Sequence, residues 1–142
     1  MLKFNGKQTV RFVIPGKPCG KGRPRFTGRI AYTPRGTVSY ENLVKLAYCN
    51  DTNGFNFGNA PIAMHVTAYY PIPKSTSKAN RAKMLCNEIY PTKKPDFDNI
   101  GKIITDALNG IAYHDDAQIV RFTLLKYYAE SPRVEVCMWE VN

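Results

Sequence analysis

Acidic residues are missing from the first forty positions, which carry nine lysines and arginines. The remaining eleven basic residues are balanced by all eleven acidic ones in positions 41–142, so the whole net charge of +9 belongs to the N-terminal stretch. That partition suits a chain that grips a polyanion with one part and does chemistry with another. Only two histidines occur, and the four cysteines, at 19, 49, 86 and 137, show no CxxC spacing. Together they exclude a zinc site of the usual ligand pattern and predict reduced, partly buried thiols of a cytoplasmic protein. His65 has no second histidine nearby in sequence and is read as a surface or core residue rather than a ligand. No run approaches a membrane span in length, and Met1–Gly6 lacks the apolar core of a secretory signal.

What is present is concentrated. Of six aspartates, five fall between Lys94 and Gln118: Asp96, Asp98, Asp106, Asp115 and Asp116. Ile100, Ile103, Ile104, Ala107 and Leu108 recur at the spacing of one helix face, with Asp98 as the expected N-cap and Gly110 as the stop. Asp98, Lys102 and Asp106 then line the opposite face. Asp96 precedes the helix in an extended pair after Pro95, and Asp115 and Asp116 open the next strand. Carboxylates crowded in this way repel unless a cation separates them, and hard Mg²⁺ prefers oxygen ligands. The plain alternative is a solvated helix with an N-cap and i,i+4 ion pairs.

The rest of the 142 residues, 44% hydrophobic, reads as one domain spanning 1–142. Val10–Ile14 alternates as a strand. Lys17–Phe26, with two glycines and two prolines, reads as a loop whose cations can lie along phosphates. Lys17, Lys21, Arg23, Arg25, Arg29 and Arg35 are the candidate DNA contacts, and a basic loop without a partner is the alternative. Phe26 and Tyr32 would stack on bases or pin the loop. Val38–Asn50 is predicted helical, with Asn53-Gly54 as its stop, and Ile62–Tyr70 a half-buried strand. Ser77–Asn87 is predicted as a short helix in a mobile region. Ile119–Tyr128 and Val134–Val141 are strands expected to pair as an antiparallel hairpin. The expected architecture is an α/β or α+β fold with a mixed sheet of four or more strands and helices packed on it.

Asp96-x-Asp98-Asn99, Lys102, Asp106-Ala107-Leu108 and Asp115-Asp116-x-Gln118 together resemble the pattern of the RusA family of Holliday junction resolvases. Ile14–Pro18 and Lys21–Arg25 resemble the branch found in phages and Gram-positive hosts. The resemblance implies a RusA-like fold and a Mg²⁺-dependent endodeoxyribonuclease, with Mn²⁺ as a substitute ion. It implies a homodimer that resolves four-way junctions by paired symmetric cuts in recombination and repair, in a bacterial or phage-infected cytoplasm. It carries the catalytic and metal-binding carboxylates to Asp96, Asp98 and Asp116 and the functional lysine to Lys102. Asp115, Asp106 and Asn99 would surround them. Two other readings remain: a basic nucleic-acid-binding module that does not cut, and a nuclease for flaps or other branched DNA. A phosphohydrolase of small nucleotides would have no use for nine cations in forty residues.

Overall fold

The computed structural model describes residues 2–4, 7–22, 25–28, 30–32 and 35–142, with side chains apart from those of 2–4, 25–27 and 30–32. In chain order the elements are β1 (Leu2–Phe4), β2 (Lys7–Pro15), β3 (Arg25–Thr27), β4 (Ile30–Tyr32), α1 (Arg35–Thr52), β5 (Ile62–Pro71), α2 (Lys78–Leu85), α3 (Phe97–Ala107), β6 (Ile119–Ala129) and β7 (Arg133–Glu140). A 3-10 turn, Asp116–Gln118, leads into β6. The main sheet runs β1-β2-β7-β5-β6, and β3 and β4 form a separate two-stranded ribbon. The mixed sheet with helices packed on it is the α+β architecture that the periodicities predict.

One face of the sheet makes the core. Val10, Phe12 and Ile14 of β2, Val134, Val136 and Met138 of β7, and Met64, Val66, Ala68 and Tyr70 of β5 are buried on it. Against them pack Tyr40, Val44 and Tyr48 of α1 and the full stripe Ile100, Ile103, Ile104, Ala107 and Leu108 in and just after α3. Each of these isoleucines, removed from water, contributes roughly 1.5–3 kcal/mol. The stripe therefore fixes which face of α3 is left to solvent. Tyr113 closes the same core and donates its hydroxyl to the Thr105 carbonyl at 2.6 Å.

Two expectations fail. β6 and β7 do not form a hairpin: β5 lies between them, parallel to β6 and antiparallel to β7. The link Glu130–Pro132 hops over the end of β5 instead of turning back. The physical reason is burial. Val134, Val136 and Met138 suit a central strand, whereas Val120, Phe122 and Leu125 of β6 are exposed, as on a sheet edge. The parallel β5–β6 pair needs a long crossover, and residues 72–118, with α2 and α3, supply it. The second failure is the start of α3. Its N-cap is Asp96, not Asp98, which lies in the first turn. The backbone of Lys17–Gly22 is a loop, as expected, but 25–27 and 30–32 pair as strands. The short helix after Ser77 is present, with the Ser77 side chain accepting from the Asn80 N–H at 3.2 Å.

Candidate active site

The segment entering α3 is held from below by the ends of β5 and β6. The Tyr70 hydroxyl donates to the Pro95 carbonyl at 2.5 Å, and Lys126 Nζ donates to the Lys93 carbonyl at 2.8 Å. Burial pushes the Tyr70 phenol up to about 12, with the Asp96 carboxylate adding to the effect. Burial lowers the Lys126 ammonium while the same carboxylate pulls it back up. Asp96 is thus exposed yet adjacent to both. Although it is the N-cap residue, its side chain makes no capping hydrogen bond. A carboxylate at a helix N-terminus sits in the favourable end of the helix dipole and is here left open to another partner.

Asp98 and Lys102 project from the solvent side of α3 toward the start of β6. They share a cavity of about 320 Å³ with Asp116, Thr105, Phe97 and Phe122. Gly101 lets this cavity form: a Cβ there would stand 3.1 Å from the Phe122 ring. Lys102 Nζ is 3.3 Å from Asp106 Oδ1. Asp106 also meets Lys21 Nζ at 3.4 Å, and Lys21 is ion-paired with Glu41 of α1 as well.

Asp116 is positioned by the turn it opens. Its N–H donates to Asn109 Oδ1 at 2.9 Å. Gln118 fastens the same turn: its Oε1 accepts from the Asp115 N–H at 2.9 Å, and its Nε2 donates to the Gly58 and Ala60 carbonyls at 2.7 and 3.0 Å. Burial raises the Asp116 carboxyl above its ordinary value, and the neighbouring Asp115 and Asp106 carboxylates raise it further. That crowding is the electrostatic signature of a site that gains from a bound cation.

The sequence-predicted site residues divide into groups. Asp98, Lys102 and Asp116 line one cavity, and Asp106 and Asp115 adjoin it. Asp96 and Asn99 line another, of about 370 Å³, with Lys21 and Lys94. Among the described residues no three acidic, histidine or cysteine side chains converge on one metal position. The fit to a hard cation is therefore that of the Asp98 and Asp116 pair, a carboxylate count that Mg²⁺ commonly accepts. Lys17 and Arg35 are exposed, whereas Lys21 is held between two carboxylates. Arg23 and Arg29 lie outside the described residues, as do the side chains of Arg25, Phe26 and Tyr32. The basic loop packs against the site: the Lys21 N–H donates to the Asn99 carbonyl at 2.9 Å, and the Gly22 N–H to Thr37 Oγ1 at 2.9 Å. At Gly20 a Cβ would stand 3.0 Å from that of Pro95.

Sequence reasoning missed Glu41, Asn109, Phe97 and Phe122. Gly101 was the available signal for the aromatic wall, because a mid-helix glycine costs about 1 kcal/mol against alanine and asks for a packing reason. Phe97, between the two aspartates, is 65% exposed. Asn109 and Glu41 meet their partners only through tertiary packing.

Comparison with known proteins adds a separate line. The family model described as endodeoxyribonuclease RusA matches residues 15–138. The chain is 33% identical over 138 residues to the uncharacterized protein YqaN of Bacillus subtilis (strain 168), covering 94% of this chain and 97% of that protein. It is 28% identical over 123 residues to the crossover junction endodeoxyribonuclease rusA of Lactococcus phage r1t, covering 85% of this chain and 86% of the phage protein.

Proposed function

This chain belongs to the RusA family of endodeoxyribonucleases, and on that premise we propose that it resolves four-way DNA junctions by metal-dependent hydrolysis of phosphodiester bonds. In this reading one domain spanning 1–142 works as a two-fold symmetric homodimer in the cytoplasm of a bacterium or phage-infected cell, in recombination and repair. A single carboxylate site per chain supports the dimer, since two opposed strands must be cut and a two-fold axis supplies two identical sites. The observation that carries the reading is the meeting of Asp98, Lys102 and Asp116 around one cavity.

Asp98 and Asp116 would hold Mg²⁺, or Mn²⁺ in its place; the family resemblance adds Asp96 as a third ligand, which in this structure lines the neighbouring cavity. The ion, when bound, supplies Lewis-acid charge and a water of lowered pKa. Lys102 stabilises the charge that develops on the phosphate as it is attacked, acting from a rigid helix. Asp106 holds Lys102 at 3.3 Å and limits its wandering. Asn109 and Gln118 keep the Asp116 turn in place through the bonds at 2.9 Å and 2.7 Å. Phe97 and Phe122 wall the cavity with carbon and reduce competing water around the reacting phosphate. Lys17, Arg23, Arg25, Arg29 and Arg35 would contact the DNA backbone, while Lys21 fastens the Lys17–Gly22 loop to α1 and α3.

The test is a cleavage assay with Mg²⁺ on four-way junction, flap, duplex and single-stranded DNA of matched sequence. Paired symmetric nicks on the junction are expected. Tight metal-independent binding without nicking would make the chain a binding module, and a flap preference would move the substrate while leaving the nuclease chemistry intact.

A further inference from the structure

The main sheet packs α1 and α3 against one face, the face that makes the core. On the other face the strand register sets Trp139 beside Ala63, with Arg121 across from Ala63 on β6 and Arg11 one row away opposite Cys137. Two cavities of about 470 and 510 Å³ open on this face and share Arg11, Cys137 and Trp139, so they form one groove across the strands. At the far end Tyr69 and Tyr127 lie 6.1 Å apart with planes tilted by 32°, and the Arg133 guanidinium sits 4.0 Å over the Tyr69 ring. Tyr90 extends the row, 5.9 Å from Tyr127 and 54% exposed.

The charge on this face is unbalanced. Glu140 is paired with Lys7 at 3.5 Å and Glu135 with Arg133 at 2.9 Å. Among the described residues, Arg11 and Arg121 have no carboxylate partner, and both are exposed. A second copy laying the same face on this one would bring two net-positive surfaces together, which charge complementarity disfavours. A polyanion with flat aromatic faces meets both features: guanidinium groups take its phosphates, and indole and phenol rings take its bases.

We propose that the face of the sheet opposite α1 and α3 is a second DNA-binding surface, which holds a single-stranded segment with unpaired bases stacked on Trp139 and on Tyr90 at the end of the tyrosine row. Arg11 and Arg121 contact its backbone. The proposal rests on the reading of the chain as an enzyme that acts on DNA.

Trp139 is the chain's single tryptophan, so its own fluorescence reports on the surface. Wild-type protein in EDTA, which stops cleavage, is titrated with a deoxythymidine oligomer of about fifteen nucleotides. Saturable quenching is expected, weakening with salt. The double variant Arg11→Gln/Arg121→Gln should flatten the salt slope by about 1.4, at about 0.7 per single-strand phosphate contact. Trp139→Leu, followed with a labelled oligomer, should weaken binding roughly tenfold to a hundredfold, as loss of a stacked base does. Circular dichroism confirms that both variants are folded. Unchanged emission on addition of oligomer overturns the proposal. So does quenching with an unaltered salt slope in the arginine variant, or emission that follows protein concentration instead of DNA, the mark of a second copy on this face. Junction cleavage with Mg²⁺ separates the two readings. Cleavage without oligomer binding removes this surface alone, whereas absence of cleavage removes the nuclease reading and leaves the metal-free titration to judge the surface by itself.

Discussion

Lys21 offers a sharp test, because charge alone would count it with the DNA contacts and the structure surrounds it with carboxylates. Its ammonium joins Glu41 of α1 to Asp106 of α3, and the three side chains are 22%, 18% and 19% exposed. Lys21→Met keeps the packing of the stem and removes the charge. One charge-assisted hydrogen bond, to Glu41, and one ion pair, to Asp106, are lost, the first contributing about 1.5–3 kcal/mol when well shielded. Asp106 keeps Lys102 at 3.3 Å, and partial exposure weakens the rest, so a loss of about 2 kcal/mol is expected. At about 2–4 °C per kcal/mol for a chain of this size, Tm should fall by about 4–8 °C. Glu41→Gln in the Lys21→Met background should cost little more, since the two changes break one interaction.

The pH dependence follows from the same contacts. Burial by itself would lower the Lys21 pKa, but Glu41 and Asp106 outweigh it and raise it above the ordinary 10.5. A group whose folded pKa is raised contributes stability that is complete below its unfolded value and disappears as pH climbs through the folded one. The Tm gap between wild type and Lys21→Met should therefore be constant from neutral pH to about 10 and close above it. In a salt titration of junction binding the variant should keep the wild-type slope. An unchanged Tm together with a slope flattened by about 0.9 would make Lys21 a phosphate contact and refute the clamp.

Asp98→Asn and Asp116→Asn should each bind junctions normally and lose nicking in a Mg²⁺ cleavage assay; near-normal cutting by either removes it from the ligand set. Asp116→Asn should also raise the Tm of the metal-free protein slightly at neutral pH, because it relieves crowding by Asp115 and Asp106. Since the folded Asp116 pKa is raised, that gain should shrink as pH falls through it and vanish below the ordinary carboxylate value of 3.8. Lys102→Met should lower single-turnover cleavage by about 10²–10³ with junction affinity nearly unchanged. Replacing Lys17 and Arg35 together by Ala should flatten the salt slope of duplex binding by about 1.8 with Tm unmoved, and sedimentation of the wild type at micromolar concentration should give twice the chain mass.

Periodicity made α3 legible because its isoleucine stripe is a one-dimensional signal: burial of Ile100, Ile103 and Ile104 leaves Asp98, Lys102 and Asp106 nowhere to go but outward. The same logic placed β2, β5 and α1, whose buried residues follow their own periods. Strand pairing is different in kind. The alternation within β6 and β7 reports which side faces the core, but says nothing of which strand sits next to which, so β5 could insert between them unseen. The helix start was missed for a related reason. Asp96 and Asp98 are both good caps by type, and only the packing of the preceding segment, through Tyr70 and Lys126 on Pro95, selects the earlier one.

That selection bears on the chemistry. Had Asp98 been the cap, its oxygens would have been committed to the first-turn N–H groups and drawn away from Asp116. With the helix beginning two residues earlier, Asp98 sits on the first turn facing β6, and the Asp96 side chain is left without a capping bond. The bonds to Pro95 that fix the start of α3 come from the end of the β5–β6 pair, and β6 begins at the turn that carries Asp116. One parallel strand pair thus sets the distance between the two carboxylates from both ends. Weakening it, as Tyr70→Phe would by removing the bond to Pro95, should lower cleavage more than it lowers Tm. A loss of stability with cleavage intact at temperatures where the variant is folded would show that the β5–β6 pair supports the fold without tuning the site.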